Sequence, residues 1–160
     1  MAVIGDSQRI LIPYRLSQVS FVAGRDDVIG TLTPGSEGST FGGYPLASVV
    51  GIYAIKTLIE ENLAQNAKKR GAQLMGHFQN LKSDFPDKIK EVRGKGLLTA
   101  FEMHDAKNLD GHKVSMELLN NGIYAKETHH STVRLAPALT INNNQIDRLT
   151  DAIRTVIKGL

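Results

Sequence analysis

Cysteine and tryptophan are both absent from the 160-residue chain, and its aromatic residues are only four tyrosines and five phenylalanines. Without cysteine there is no disulfide scaffold, no thiolate nucleophile and no zinc site of the cysteine type, which agrees with a reducing compartment. No apolar run approaches the roughly twenty residues that a membrane span requires, and the first residues lack the apolar core of a secretion signal. We therefore expect a soluble, cytoplasmic protein with no membrane partner.

The charge balance gives little support to nucleic-acid binding. The net charge is +3, but the 19 basic residues are scattered along the chain instead of forming one block. The few aromatic residues do not interleave with them as a base-stacking surface would. We expect no nucleic-acid partner, and a salt-sensitive affinity for oligonucleotides would be the mark of that alternative.

Residues 64–160 carry alternating helix and strand signals. Apolar residues at steps of three and four predict an amphipathic helix from Leu63 to Leu81, which ends by Pro86. Runs of β-branched and aromatic residues next to glycine turns predict strands. The further elements are strands at 89–92, 97–103, 123–125 and 132–136 and helices at 110–121 and 146–157. This order predicts an α+β domain, a sheet with helices on one face.

Local signals predict where several of these elements end. Gly122 is a C-terminal stop for the helix before it. Asn142 can cap the last helix, with Gln145 three residues on as a partial capping box. Pro137 either confines the strand at 132–136 to a sheet edge or ends it.

The first 63 residues follow a different pattern. The run VSFVA at 19–23 predicts a buried strand, and a glycine-rich loop at 24–43 follows. Pro45 then begins an apolar helix that runs to about Glu61 and should be heavily buried. This part has too few strands for a sheet, so we expect it to be the end of a larger domain, with a boundary between residues 1–63 and 64–160.

The loop GSEGSTFGGYP, from Gly35 to Pro45, is a candidate phosphate site. Glycines let a backbone approach an anion, the hydroxyls of Ser39 and Thr40 donate hydrogen bonds, and the following helix dipole favours negative charge. The loop has no lysine of the P-loop kind. A tight turn without a ligand is the competing interpretation.

Arg134 lies in TVRLAP, where period two places Val133 and Leu135 on one face of a strand and Arg134 on the other. The plain interpretation is a solvated arginine. The functional interpretation is a guanidinium fork that binds a carboxylate through two parallel N–H bonds.

Other polar residues have simpler explanations. His129 and His130 are adjacent, so on extended backbone they point to opposite sides and cannot readily chelate one metal. Arg93 and Lys95 in RGKG could contact an anion, but a turn between strands accounts for them. We predict no metal site.

Several segments together resemble one enzyme family. EGSTFGGYPL is similar to HGST(F/Y)GGNPL, the phosphate-loop signature of class III pyridoxal-phosphate aminotransferases. EVRGKGLL, NNGIYAKETH and VRLAPAL follow in the order and spacing of the C-terminal part of ornithine aminotransferases, and AKETH resembles these more than the related acetylornithine enzymes. The resemblance runs from about Val19 to Leu160, or roughly nine-tenths of the chain.

The resemblance implies a fold and three site residues. The fold would be the small C-terminal domain of a fold-type I aminotransferase at 64–160, preceded by a remnant of the large pyridoxal-phosphate domain at 1–63. Ser39 and Thr40 would reach the cofactor phosphate bound in the partner subunit of a dimer. Arg134 would bind the substrate carboxylate.

The chain departs from the family pattern at three positions. The family has histidine where Glu37 stands and asparagine where Tyr44 stands, and a carboxylate beside a phosphate is electrostatically unfavourable. The family's Schiff-base lysine precedes the VSAV strand, and ungapped counting back from Val19 places Ile10 there. We therefore assign no catalytic residue.

The resemblance implies the parent reaction, in which pyridoxal phosphate mediates transfer of the δ-amino group of ornithine to 2-oxoglutarate. This chain alone is expected to be inactive and not to hold the cofactor stably, because the lysine is lacking. The alternative is a non-catalytic pseudoenzyme or assembly module that pairs with a full-length aminotransferase or a companion chain. Both predict a homo-oligomer or association with an aminotransferase large domain.

Overall fold

The computed structural model describes residues 24–36, 38–40, 42–104 and 110–160. The chain divides into two compact units, Met1–Glu61 and Asn62–Leu160. The strand predicted at 19–23 lies outside the described residues. None of the described helices combines the length and the apolar character that crossing a bilayer demands.

The described part of the first unit contains a short helix α1, Asp26–Ile29, and a longer helix α2, Pro45–Glu60. Pro45 occupies the first turn of α2, as predicted, because its missing N–H would be unpaired there. The prediction that this helix is heavily buried was wrong. Ala47 is its only buried residue among those described, while Ile52 and Ile59 are 54% and 69% exposed. In the part of the first unit that the structure describes, a four-residue helix and loops supply too little surface to cover a helix that is apolar on most sides.

The second unit is an α+β domain with a small antiparallel sheet. Its described elements are α3 Leu63–Asp84, β1 Ile89–Lys95, β2 Leu98–Met103, α4 Gly111–Asn120, β3 Lys126–Thr128, β4 Thr132–Leu135 and α5 Asn143–Gly159. The strands lie in the order β1-β2-β4-β3, and each neighbouring pair is antiparallel. The predicted α+β class is confirmed.

The helices cover one face of this sheet. Helix α3 packs on β1 and β2, α4 packs on β3 and β4, and α5 packs against both helices. Phe78 of α3 meets Phe101 of β2 edge to face, with ring centroids 5.6 Å apart, and both rings are buried. Burial of such apolar side chains between layers is the main stabilising contribution to the domain.

The capping predictions hold at both helices that were expected to have them. Asn142 accepts a hydrogen bond from the Gln145 amide, and the Gln145 side chain accepts one from the Asn142 amide, which completes a capping box. Gly122 ends α4 in a left-handed conformation, with φ of 77°. These caps satisfy backbone groups that a helix end otherwise leaves unpaired.

The strand predicted at 123–125 is wrong, because β3 begins at Lys126. The amide of Ile123 donates to the Leu118 carbonyl at 2.8 Å, and the amide of Gly122 donates to the Leu119 carbonyl at 2.9 Å. This pair of bonds is the Schellman arrangement that closes a helix. It uses the Ile123 amide for helix termination, so the sheet starts later.

Candidate functional site

Arg134 lies on β4, between β2 and β3. The exposed fractions of Val133 and Leu135 are 0% and 3%, whereas Arg134 is exposed. The predicted alternation is therefore confirmed. Pro137 ends this strand and does not mark a sheet edge, since β4 has a partner on each side. A ligand would consequently approach Arg134 over the face of the sheet and not along an open strand edge.

Strand register places four residues in one row across this face. Arg93, Ala100, Arg134 and Lys126 are successive cross-strand partners on β1, β2, β4 and β3. We call the side of the sheet that carries this row the open face. Three of the four side chains are cationic, and the fourth is a single methyl group that leaves space beside Arg134.

Glu102 organises one end of the open face. It accepts a hydrogen bond from Lys90 Nζ at 2.7 Å and another from Arg93 Nη1 at 2.9 Å. These two bonds hold the pKa of the Glu102 carboxyl below its ordinary value, and the bond from Lys90 has the larger effect. The same bond to Glu102 raises the pKa of Lys90. Arg93 also lies 3.4 Å from Glu91 Oε2. Arg93 is thus paired with acids of its own sheet. The turn predicted at 93–96 was wrong for its first three residues, because β1 continues to Lys95 and the turn begins at Gly96.

Arg134 forms no ion pair or side-chain hydrogen bond with any other residue in the described parts of the chain. Its guanidinium therefore presents its N–H donors to solvent from a strand whose backbone is fixed on both sides. An arginine held in this way can bind a carboxylate through two parallel bonds. The open face around Arg134 is the candidate anion site of the second unit.

The candidate phosphate loop leads directly into α2. Gly35 and Gly43 adopt positive φ angles of 90° and 73°, and the Gly42 amide donates to the Ser39 carbonyl at 3.2 Å. Ser39 and Thr40 are exposed, and within the described residues their hydroxyl groups have no hydrogen-bond partner. The first turn of α2 contains no acidic residue. Hydroxyls that lack a partner in the described residues, before a helix whose first turn carries no acid, are compatible with an anion.

The histidines do not form a metal centre in the described ranges, where no group of three potential ligands lies close together. The sequence suggested an extended backbone at His129 and His130, and this was wrong. Both residues adopt left-handed conformations, with φ of 53° and 61°, in the turn between β3 and β4. His112 Nδ1 lies 3.3 Å from Glu127 Oε2, which connects α4 to β3. This contact gives His112 a structural role.

Residues 17–157 match the profile of the Aminotransferase class-III family. The chain belongs to this family. Among curated class-III relatives, it is 42% identical to the mitochondrial ornithine aminotransferase of Rattus norvegicus over 142 residues, which cover 89% of this chain and 32% of that protein. It is 41% identical to the ornithine aminotransferase of Plasmodium falciparum over 88% of this chain and 33% of that protein.

Solved class-III structures have the same fold. An ornithine δ-aminotransferase from Plasmodium falciparum superposes with a TM-score of 0.73 at 41% identity, covering 84% of this chain and 34% of that one. An acetylornithine aminotransferase from Elizabethkingia anophelis gives a TM-score of 0.76 at 33% identity, covering 84% of this chain and 34% of that one. The ornithine aminotransferase of Toxoplasma gondii gives a TM-score of 0.76 at 38% identity, covering 85% of this chain and 32% of that one. That protein has been crystallized with pyridoxal phosphate partly occupying its active site. The chain spans about a third of the length of these relatives.

Sequence reasoning found Arg134 but missed its surroundings. It did not pair Lys126 with Arg134 or Glu102 with Lys90, because cross-strand partners depend on register, which a single sequence does not specify. The signal that was present is the short KETHHSTVRL stretch, in which the polar KET and the alternating TVRL flank a few residues that could form a turn.

Proposed function

We propose that this chain provides the C-terminal part of an ornithine aminotransferase. In this proposal, residues 1–63 are a remnant of the large cofactor domain and residues 64–160 are the small domain. The observation that carries the proposal is Arg134, which is fixed on an interior strand and has no acidic partner in the described residues. The identity of about 40% to ornithine aminotransferases across most of the chain supports the substrate class.

Arg134 would bind the carboxylate that amino-acid and 2-oxo-acid substrates share. A carboxylate in two parallel N–H bonds has its plane fixed, so the rest of the substrate takes one direction from the open face. The neighbouring Ala100 leaves room for this approach, and Glu102 does not compete because Lys90 and Arg93 occupy it.

Ser39 and Thr40 would contact the phosphate of pyridoxal phosphate in the partner subunit of a dimer. Their exposed hydroxyls and the acid-free first turn of α2 fit a phosphate group. When bound, the cofactor supplies the electron sink for amino-group transfer. Transfer of the δ-amino group of ornithine to 2-oxoglutarate is the parent reaction that the family resemblance implies.

We further propose that the chain alone does not catalyse this reaction. Ungapped counting back from Val19 places Ile10, which lies outside the described residues and before the family match at 17–157, where the lysine that would hold the cofactor covalently is expected. Incubation with pyridoxal phosphate, borohydride reduction and mass spectrometry of the digest should therefore label no single lysine. One uniquely labelled lysine would contradict this part of the proposal.

The carboxylate site can be tested independently of the cofactor by NMR titration of the chain with 2-oxoglutarate. Shifts should occur around Arg134 and disappear in Arg134→Ala, while Arg148→Ala, an exposed arginine on α5, should leave them unchanged. Binding of ornithine below millimolar concentration would contradict the proposal. One exposed arginine pair cannot supply the roughly 4 kcal/mol that even millimolar affinity requires, so such binding needs a complete site.

An assembly module that pairs with an aminotransferase large domain or a companion chain is a second candidate, and the exposed apolar side chains of α2 favour it. Leu46, Val49, Ile52 and Ile59 are each between 47% and 69% exposed. Surfaces of this kind commonly bind other proteins. Size-exclusion chromatography with and without a full-length ornithine aminotransferase should show a shared peak if this candidate is correct and separate peaks if it is not.

A further inference from the structure

Strand β1 lies at one edge of the sheet, where it pairs with β2 and with no second strand among the described residues. In an antiparallel strand, alternate residues direct their N–H and C=O groups away from the neighbouring strand. No proline interrupts β1 between Ile89 and Lys95, so every residue of the strand has an N–H donor. The outer edge of β1 therefore presents backbone groups that can pair with a strand of another chain.

The side chains of β1 combine two opposite charges with one apolar residue. Glu91 and Arg93 are two positions apart, so both project to the open face, and Glu91 Oε2 lies 3.4 Å from Arg93 Nη1. Val92, between them, projects to the face that the helices cover and is only partly buried there. The edge thus carries an apolar residue flanked by an acid on one side and a base on the other.

We propose that β1 is a dimerisation edge, on which a second copy of this chain pairs its own β1 in antiparallel orientation about a twofold axis at Val92. In this register Glu91 lies opposite Arg93 of the second copy, and Arg93 lies opposite Glu91 of the second copy. Unlike charges in directly opposed positions stabilise an antiparallel pair. Val92 meets Val92 of the second copy, and this contact covers apolar surface that one copy alone leaves partly exposed.

The charges of β1 select this register over its neighbours. The pairing of β1 with β2 is regular over residues 91–95. An axis at Glu91 or at Arg93 would place two identical charges opposite each other, which destabilises a pair of strands. An axis at Gly94 would oppose the two basic residues on either side of it. Only an axis at Val92 brings unlike charges together within this regular part.

Arg93 can bind the second copy without leaving its own sheet. A guanidinium has five N–H donors, and the bonds to Glu102 and Thr132 use one on Nη1 and one on Nη2. The side chains of Arg93 and Glu91 are 45% and 50% exposed, so both remain accessible from the edge. In the dimer, Glu91 and Arg93 of the two copies form a ring of four charges that alternate in sign.

Charge reversal tests this register by sedimentation velocity of the full chain over a range of concentrations. Glu91→Arg and Arg93→Glu should each weaken self-association about tenfold, because each disrupts two symmetric exposed pairs worth about threefold apiece. An equimolar mixture of the two variants should associate again, since every opposed position then holds unlike charges. Glu117→Arg, the same change at an exposed position of α4, should leave self-association unchanged.

A distance between spin labels tests the pairing directly. The chain contains no cysteine, so Lys95→Cys provides a single site for a nitroxide label. Position 95 is three residues from the axis, so the two labelled positions of a dimer should lie about 20 Å apart along the strands. Adding Glu91→Arg to the labelled chain should remove this distance.

The other outcomes would overturn the β1 dimer. A chain that remains monomeric at millimolar concentration would do so, as would self-association that both charge reversals leave unchanged, which would indicate another surface. Loss of association in both folded variants without recovery in their mixture would also do so. Circular dichroism checks the fold, and if Arg93→Glu does not fold, the label distance and its loss in Glu91→Arg still decide. None of these results bears on carboxylate binding by Arg134, so the proposed function stands or falls separately.

Discussion

Gly71 is the position at which one added methyl group should destabilise the domain most clearly. It is buried in α3, where the helix passes over the turn between β1 and β2. A Cβ atom built on Gly71 would lie 2.6 Å from the Cα of Gly96, and closer still to the carbonyl of that residue. Gly96 cannot easily give way, because it has a positive φ of 58° and belongs to the hairpin turn.

Two contributions set the size of the effect of Gly71→Ala. Alanine is favoured over glycine in a helix interior by about 1 kcal/mol. Overpacking against backbone atoms costs about 1–3 kcal/mol or more, since α3 and the hairpin must separate to relieve it. We expect the overpacking to prevail and the free energy of unfolding to fall by about 2 kcal/mol.

Gly76→Ala is the matched control in the same helix. Gly76 is exposed, and a Cβ atom there would meet nothing within 4 Å. This variant should therefore gain about 1 kcal/mol from helix propensity and reduced freedom of the unfolded chain. Urea unfolding followed by circular dichroism should separate the two variants by about 3 kcal/mol. Equal stabilities would show that α3 does not approach the hairpin as closely as described.

Two further predictions concern the last helix and the open face. Asn142→Ala should lower the free energy of unfolding by about 1 kcal/mol, measured by urea unfolding, because the Gln145 amide loses its acceptor; no loss would mean that the capping box is not stabilising. Hydrogen bonds from Lys90 and Arg93 lower the pKa of Glu102 in the folded chain. The ionised Glu102 therefore stabilises the fold fully above its unfolded pKa of about 4.3, and this stabilisation is lost as the pH falls through the lower pKa of the folded chain. Unfolding measured from pH 6 to 3 should thus depend less on pH in Glu102→Gln, and an unchanged dependence would contradict the pairing.

Helices and their ends were predictable from the sequence because their determinants are local. The apolar steps of α3 and the capping box at Asn142 and Gln145 involve residues at most a few positions apart. The alternation around Arg134 was predictable for the same reason. These features need no knowledge of what the rest of the chain does.

Features that depend on distant residues were not predictable. The pairing of Lys126 with Arg134 and the bond between Lys90 and Glu102 follow from strand register and strand order. The burial of α2 was wrongly predicted because apolar residues favour burial, but whether they are buried depends on other segments that pack against them. The strand expected at 123–125 failed because helix termination at Ile123 used the backbone amide first.

A chimeric enzyme tests the central claim most directly. Residues 17–160 of this chain would replace the C-terminal third of the rat ornithine aminotransferase, which would keep its own preceding segment and the lysine that the family resemblance places there. We predict that the chimera binds pyridoxal phosphate and transfers the ornithine amino group to 2-oxoglutarate. Arg134→Gln should lower kcat/KM by about tenfold or more, the effect of losing a charged hydrogen bond, without loss of the cofactor absorbance. A folded, cofactor-loaded chimera with no ornithine-dependent activity, or one that Arg134→Gln leaves unchanged, would contradict the account.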